Sequence, residues 1–90
     1  MPYAVRAFQD TPNPNALKCV LDRSAGEGSR SFFNAAAAAD DPIASRLFAI
    51  DGVTNVLIHG DWITVNKRAE AAWAGIKRAV ERVLREVEGS

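Results

Sequence analysis

A single cysteine, Cys19, stands among 90 residues. No disulfide can form within the chain, and a reducing, cytoplasmic setting is the expectation. There is also only one histidine, His59. Structural zinc and iron–sulfur sites held by one chain need three or four ligands in spaced pairs, and one Cys with one His does not supply them. Charge of neither sign is in excess, because eleven basic residues balance eleven acidic ones. Proteins that grip nucleic acid by its phosphates carry a strong positive balance, so no nucleic-acid partner is expected. No apolar run approaches the ~20 residues of a membrane span. The start, Met1-Pro2-Tyr3-Ala4-Val5-Arg6, lacks the regions of a signal peptide. No glycine-rich phosphate loop is present. His59 has no serine or cysteine near it in sequence, and Asp40, Asp41, Asp51 and Asp61 fall at no diagnostic spacing. An enzyme is therefore not expected.

What is present is ordinary for a globular protein: 48% hydrophobic and 24% charged residues. The length fits one domain over residues 1–90. So small a domain buries only about 60% of the surface its unfolded chain exposes, which allows one modest core and no deep enclosed site. Alternation over Tyr3–Gln9 and Ala16–Leu21 predicts two strands, the second with Leu17, Cys19 and Leu21 opposing Lys18 and Val20. Between them, Pro12 and Pro14 fix φ and remove two donors, while Asn13 and Asn15 suit Asx turns. The stretch Thr11–Asn15 is thus a stiff turn that closes a hairpin.

Asp22–Arg30, with Gly26 and Gly28, reads as a loop. Phe32 or Phe33 is expected to enter the core, with Ala35–Ala39 leading into a helix. Asp40 or Asp41 can cap that helix and Pro42 suits its first position. Ile43, Leu47 and Ile50 share one helical face, and Gly52 stands where a helix can end. Val53–His59 and Trp62–Asn66 read as strands joined by the tight turn Gly60-Asp61. A last helix is predicted over Ala69–Val87, with the stripe Trp73, Ile76, Val80, Val83 and Val87 facing inward. The fold class predicted is α+β. Two β-hairpins form a mainly antiparallel four-stranded sheet, two helices pack on one face, and the order is ββαββα.

Few residues stand out as functional candidates. Cys19 is in phase with Leu17 and Leu21 and reads as a small core hydrophobe; the other reading is a metal shared between two copies. Arg78, Arg82 and Arg85 share a helix face, but Glu81 and Glu86 interleave as i,i+4 partners, so this is a solvated face. Trp62 lies opposite Ile63 and Val65 on its strand. If those two face the helices, Trp62 lies on an open sheet face, as an anchor of the kind interfaces use. If the faces are reversed, Trp62 is core.

The stretch Thr11-Pro12-Asn13-Pro14-Asn15-Ala16-Leu17-Lys18 resembles the signature of the Nfu/NifU N-terminal domain family. Asp41-Pro42-Ile43-Ala44, Leu47-Phe48, Ile50-Asp51-Gly52-Val53 and Asp61-Trp62-Ile63-Thr64-Val65, with Trp73 after them, follow in that family's order and cover nearly the whole chain. The resemblance implies a compact α+β fold and a role in iron–sulfur protein maturation. In the family, cluster chemistry belongs to a separate C-terminal domain with a Cys-x-x-Cys motif, two such chains sharing one cluster. The 90 residues hold no such motif. The resemblance therefore implies a non-catalytic accessory or adaptor module in iron–sulfur cluster assembly or delivery. Such a module binds iron–sulfur assembly or target proteins and carries no metal or cofactor by itself. Cys19 stands where the family usually has a bulky apolar residue. For partner contact the resemblance implies Thr11, Pro12, Asn13, Pro14, Asn15 and Lys18, with Asp61 and Trp62; a stiff turn loses little entropy on binding. The alternative function is an iron or iron–sulfur carrier that uses Cys19 shared across a homodimer.

Overall fold

The alternating stretches form strands, and each strand's apolar row finds the same side. The computed structural model describes residues 3–25 and 28–86. Strand β1 (Val5–Asp10) and strand β2 (Ala16–Leu21) form the first hairpin, with Phe8 opposite Cys19. The register of β1 slips between Val5 and Ala7, a bulge near its start. Strand β4 (Val53–His59) and strand β5 (Trp62–Lys67) form the second hairpin, closed by Gly60 at φ +57. The hairpins join through β2 and β5, where Cys19 lies opposite Ile63 and Lys18 opposite Thr64.

A further strand, β3 (Ser29–Phe32), pairs antiparallel with β4 and completes a five-stranded sheet in the order β1-β2-β5-β4-β3. This corrects the four-stranded expectation and the order ββαββα; the observed order is βββαββα. Ser29-Arg30-Ser31-Phe32 lies within and just after the stretch read as a loop. It holds one large apolar residue, too few to show alternation by hydrophobicity. An edge strand needs one row of hydrogen bonds and half a face of burial, and this one gets them from Phe32 and the stem of Arg30 opposite Val56 and Ile58.

Phe32 is half-buried against the core, whereas Phe33 is 72% exposed. The alanines that follow form turns, and only Ala38 among them is buried. The helix expected after them, α1, is short: Ala44–Phe48. Asp41 rather than Asp40 opens it, its Oδ1 accepting from the backbone N–H of Ile43 at 3.0 Å and of Ala44 at 2.9 Å. Its Oδ2 lies 3.0 Å from Arg30 Nε, an ion pair too oblique for a hydrogen bond. Arg30 also donates to Ala25 O. One strand, one loop and the start of α1 are thereby tied at a single point.

The last helix, α2 (Trp73–Glu86), buries Ile76, Val80 and Leu84. The expected stripe is correct at Ile76 and Val80, and Trp73 packs half-buried against the core. At its far end Leu84 is fully buried, and Val83 is only partly so. With 3.6 residues per turn, successive steps of four carry the buried row obliquely round the helix rather than along its axis. Val87 and Gly26 lie outside the described residues. The buried residues of α1 and α2 share one cluster with Cys19, Leu21, Val56, Ile58, Ile63 and Val65. Both helices therefore cover the same face of the sheet, as alternation along the strands requires.

Candidate functional site

With Ile63 and Val65 at 0% exposure under the helices, strand pleat sends Trp62, Thr64 and Asn66 to the opposite face. That settles the side of Trp62: it is half-buried on the open face and is not core. Register brings Val20 and His59 opposite Trp62 on either side, and Lys18 and Leu57 opposite Thr64. The Lys18 ammonium sits 4.8 Å from the centre of the Trp62 ring, within the range of a cation–π contact. The His59 ring stands 5.1 Å from it, tilted by 38°, and His59 Nδ1 pairs with Ser29 Oγ. Sequence reasoning put Trp62 and Lys18 at the site, and Val20, Leu57 and His59 join them. Val20 and Leu57 were findable from phase alone, since each alternates with buried neighbours.

The Thr11–Asn15 turn lies elsewhere. Ala16 pairs with Asn66, whereas Val20 pairs with Trp62, so turn and tryptophan sit at opposite ends of the β2–β5 pair, about 13 Å apart along the strands. Asp61 is exposed at the far hairpin tip, next to Trp62, and its carbonyl accepts from Leu21 N. The eight implied contact residues thus form two groups: the turn, and Asp61 with Trp62, to which Lys18 leans from mid-strand.

The turn is held from within and from behind. Thr11 Oγ1 accepts from Asn13 N and lies 2.9 Å from Asn13 O. Asn13 Oδ1 accepts from Asn15 N at 2.9 Å, an Asx turn. Asn15 then takes two bonds from Lys67: its carbonyl from the backbone N–H at 2.8 Å and its Oδ1 from Nζ at 3.1 Å. The indole Nε1 of Trp73 donates to Pro14 O at 3.0 Å. Lys67, only 9% exposed, has its ammonium 5.5 Å from the centre of the Trp73 ring and also donates to the carbonyls of Arg68 and Ala69. The turn is thereby latched to the start of α2 across 59 positions of sequence. Asn15→Ala should cost about 1–2 kcal/mol in a urea titration, and Asn13→Ala no more than that, since each removes a bond at a partly solvated site. Unchanged stability in Asn15→Ala would mean that the latch holds nothing.

Cys19 is 0% exposed, on the helix-covered face. Burial pushes its thiol from 9.0 up to about 12, with Lys77 opposing and Glu81 adding to the shift. A metal shared between two copies needs a thiolate at a surface, and this thiol is interior and protonated. Among the described residues no three His, Cys, Asp or Glu side chains gather as metal ligands. The raised value has a consequence for stability. Below pH 9 the thiol is protonated both folded and unfolded. Between 9 and about 12 the unfolded chain gives up the proton that the fold retains, so stability falls as pH rises through that window. Cys19→Ala should flatten that part of the pH–stability curve, and native Cys19 should resist a thiol reagent at pH 8 until urea unfolds it. A wild-type alkaline slope retained in Cys19→Ala would place the titration elsewhere.

An open depression of about 500 Å³ lies where α2 begins, beside Ile50, Asp51, Arg68 and Gly75. Its one cation, Arg68, is paired at 3.3 Å with Asp51 and at 3.1 Å with Glu70, so it offers an anion little. No helix among the described residues is long and apolar enough to cross a membrane.

The geometry defines a small α+β domain with one helix-covered and one open sheet face. The chain belongs to the family described as scaffold protein Nfu/NifU N terminal, whose model matches residues 5–89. It is 36% identical over 91 residues to the NFU1 iron-sulfur cluster scaffold homolog, mitochondrial, of Drosophila sechellia, covering 93% of this chain and 32% of that protein. The chain thus spans about a third of that relative's length. The relative's name is mitochondrial and gives the expectation of a cytoplasmic protein no support. Among solved structures, a NifU-like protein from Saccharomyces cerevisiae superimposes with TM-score 0.77 at 25% identity, over 92% of this chain and 77% of that one. Protein SAV1430 from Staphylococcus aureus does so with TM-score 0.76 at 25% identity, over 89% and 96%.

Proposed function

We propose that this chain is a non-catalytic binding module that serves iron–sulfur cluster assembly or delivery by holding a partner protein on its open sheet face. The observation that carries the reading is the face itself: a half-buried tryptophan on the middle strand of an antiparallel sheet, with apolar neighbours, on the side opposite the helix-covered core. Aromatic anchors that are partly wet in the free protein and desolvated on contact are where binding energy concentrates. The pathway comes from the family and from relatives named as iron–sulfur cluster scaffolds. The interior position of Cys19 favours a module that handles the partner over one that carries the metal. Anaerobic reconstitution with ferrous iron and sulfide tests this, comparing wild type with Cys19→Ser and counting iron per chain. No stoichiometric iron is expected in either. Stoichiometric iron that is lost in Cys19→Ser would make the chain a carrier and end the binding-module reading.

A further inference from the structure

The charge on the open face says more about the partner, on the basis of the binding-module reading. Register assigns to this face alternate residues of all five strands. Its apolar centre is Trp62 with Val20 and Leu57. Two ionisable side chains on it, Lys18 and His59, stand against the Trp62 ring, and Arg6, in the β1 bulge with Ala7 opposite Val20, lies at its edge. No Asp or Glu falls on it, although acids and bases balance in the chain as a whole. Lys18 has no carboxylate partner among the described residues, so its ammonium is matched only by the ring.

We propose that this face docks a single acidic, amphipathic segment of a partner protein, with apolar side chains on Trp62 and Leu57 and a carboxylate on Lys18. Charge complementarity selects the sign, because a carboxylate can join Lys18 on a face whose strands present no Asp or Glu, Asp61 lying in the turn beyond Trp62. A second copy is a poor fit. A two-fold interface sets each patch against itself, which would bring the Lys18-bearing, acid-free patch of one copy against that of the other with no counter-charge. Single-stranded nucleic acid is a poor fit as well, since its platforms line several cations along the backbone and this face offers Lys18 near the ring and Arg6 at the edge strand. Size agrees with a single segment. Five strands about 4.8 Å apart make a face roughly 19 Å wide, enough for a helix of about 10–12 Å.

Random 12-residue peptides displayed on phage provide the test, selected in parallel on wild type, Lys18→Glu and Trp62→Ala, each checked for an intact thermal melt. Wild type should enrich sequences with Asp or Glu beside Leu, Phe or Trp, and Lys18→Glu should enrich Lys or Arg in the acid's place. The best acidic peptide, resynthesised, should bind Lys18→Glu about tenfold more weakly or worse. In the 15N spectrum of wild type it should shift Trp62 Nε1–H, Leu57 and Thr64. Acidic peptides indifferent to Lys18→Glu, a footprint on the helices, no enrichment above the Trp62→Ala selection, or an oligouridylate 12-mer that binds this face more tightly would each overturn the proposal. Peptides that bind the face without preferring acids would remove the acidic partner and leave the binding module standing. Only iron held through Cys19 removes the module.

Discussion

Leu84→Ala is expected to lower the stability of the domain by about 2–5 kcal/mol, whereas Val83→Ala should cost about 1 kcal/mol. The two positions are adjacent on α2, yet Leu84 is fully buried and Val83 only partly so. Leu84 also ends the row Ile76, Val80, Leu84, and its carbonyl accepts from Tyr3 N at 2.8 Å. The buried side chain and the backbone carbonyl together fix the far end of the helix near Tyr3, just before β1. Against a total of about 5–15 kcal/mol for a domain of this kind, the loss is severe. Urea titrations read it as a lower midpoint at unchanged slope. Equal costs at the two positions would restore Val83 to the buried stripe.

Gly52→Ala should cost about 2–4 kcal/mol, from two sources that can be separated. Gly52 sits at φ +98, a conformation that L side chains rarely adopt. An added Cβ would also stand 2.9 Å from Ala71 Cβ and 3.5 Å from Ile76 Cδ1, closer than packed carbons tolerate without a shift. The backbone of Gly52 further accepts from Arg68 N at 2.8 Å, so this turn has no freedom to move away from α2. In the double variant Gly52→Ala/Ala71→Gly the contact is relieved and the strain remains. Measured relative to Ala71→Gly alone, Gly52→Ala should then cost roughly 1–3 kcal/mol. If it costs nothing there, crowding alone explains the glycine.

Where apolar residues alternate, the sequence was enough to read the fold. β4 was legible to the residue, and the two hairpins followed from Gly60 and from the prolines around Asn13. β3 was not legible, because an edge strand whose inward residues are Arg30 and Phe32 lacks the apolar row that announces a strand. The run Ala35–Ala39 misled in the other direction. High helix propensity suggested a lead into a helix, but short helices need a face to bury, and alanine offers only a methyl group. In the site, Trp62 was visible as a residue out of phase with Ile63 and Val65, and Lys18 through the family resemblance, whereas their meeting depends on the pairing of β2 with β5. The hold of Lys67 on Asn15 and of Trp73 on Pro14 was not, because no local pattern links positions 52 and 59 residues apart. Nor was the separation of the turn from Trp62 legible, since only the pairing of β2 with β5 sets them at opposite ends.

The two borders of the sheet bear on how such a molecule stays dispersed. A protein that exposes an aromatic sheet face at working concentration risks growing, strand upon strand, into fibrils. Flat, regular borders are where such growth starts. Here one border strand is kinked by the irregularity between Val5 and Ala7, and the other is four residues long with a charged Arg30 turned inward. Neither offers a template on which another copy could align. Lateral polymerisation is thereby disfavoured at both ends, and the face around Trp62 remains the uncovered part of the sheet.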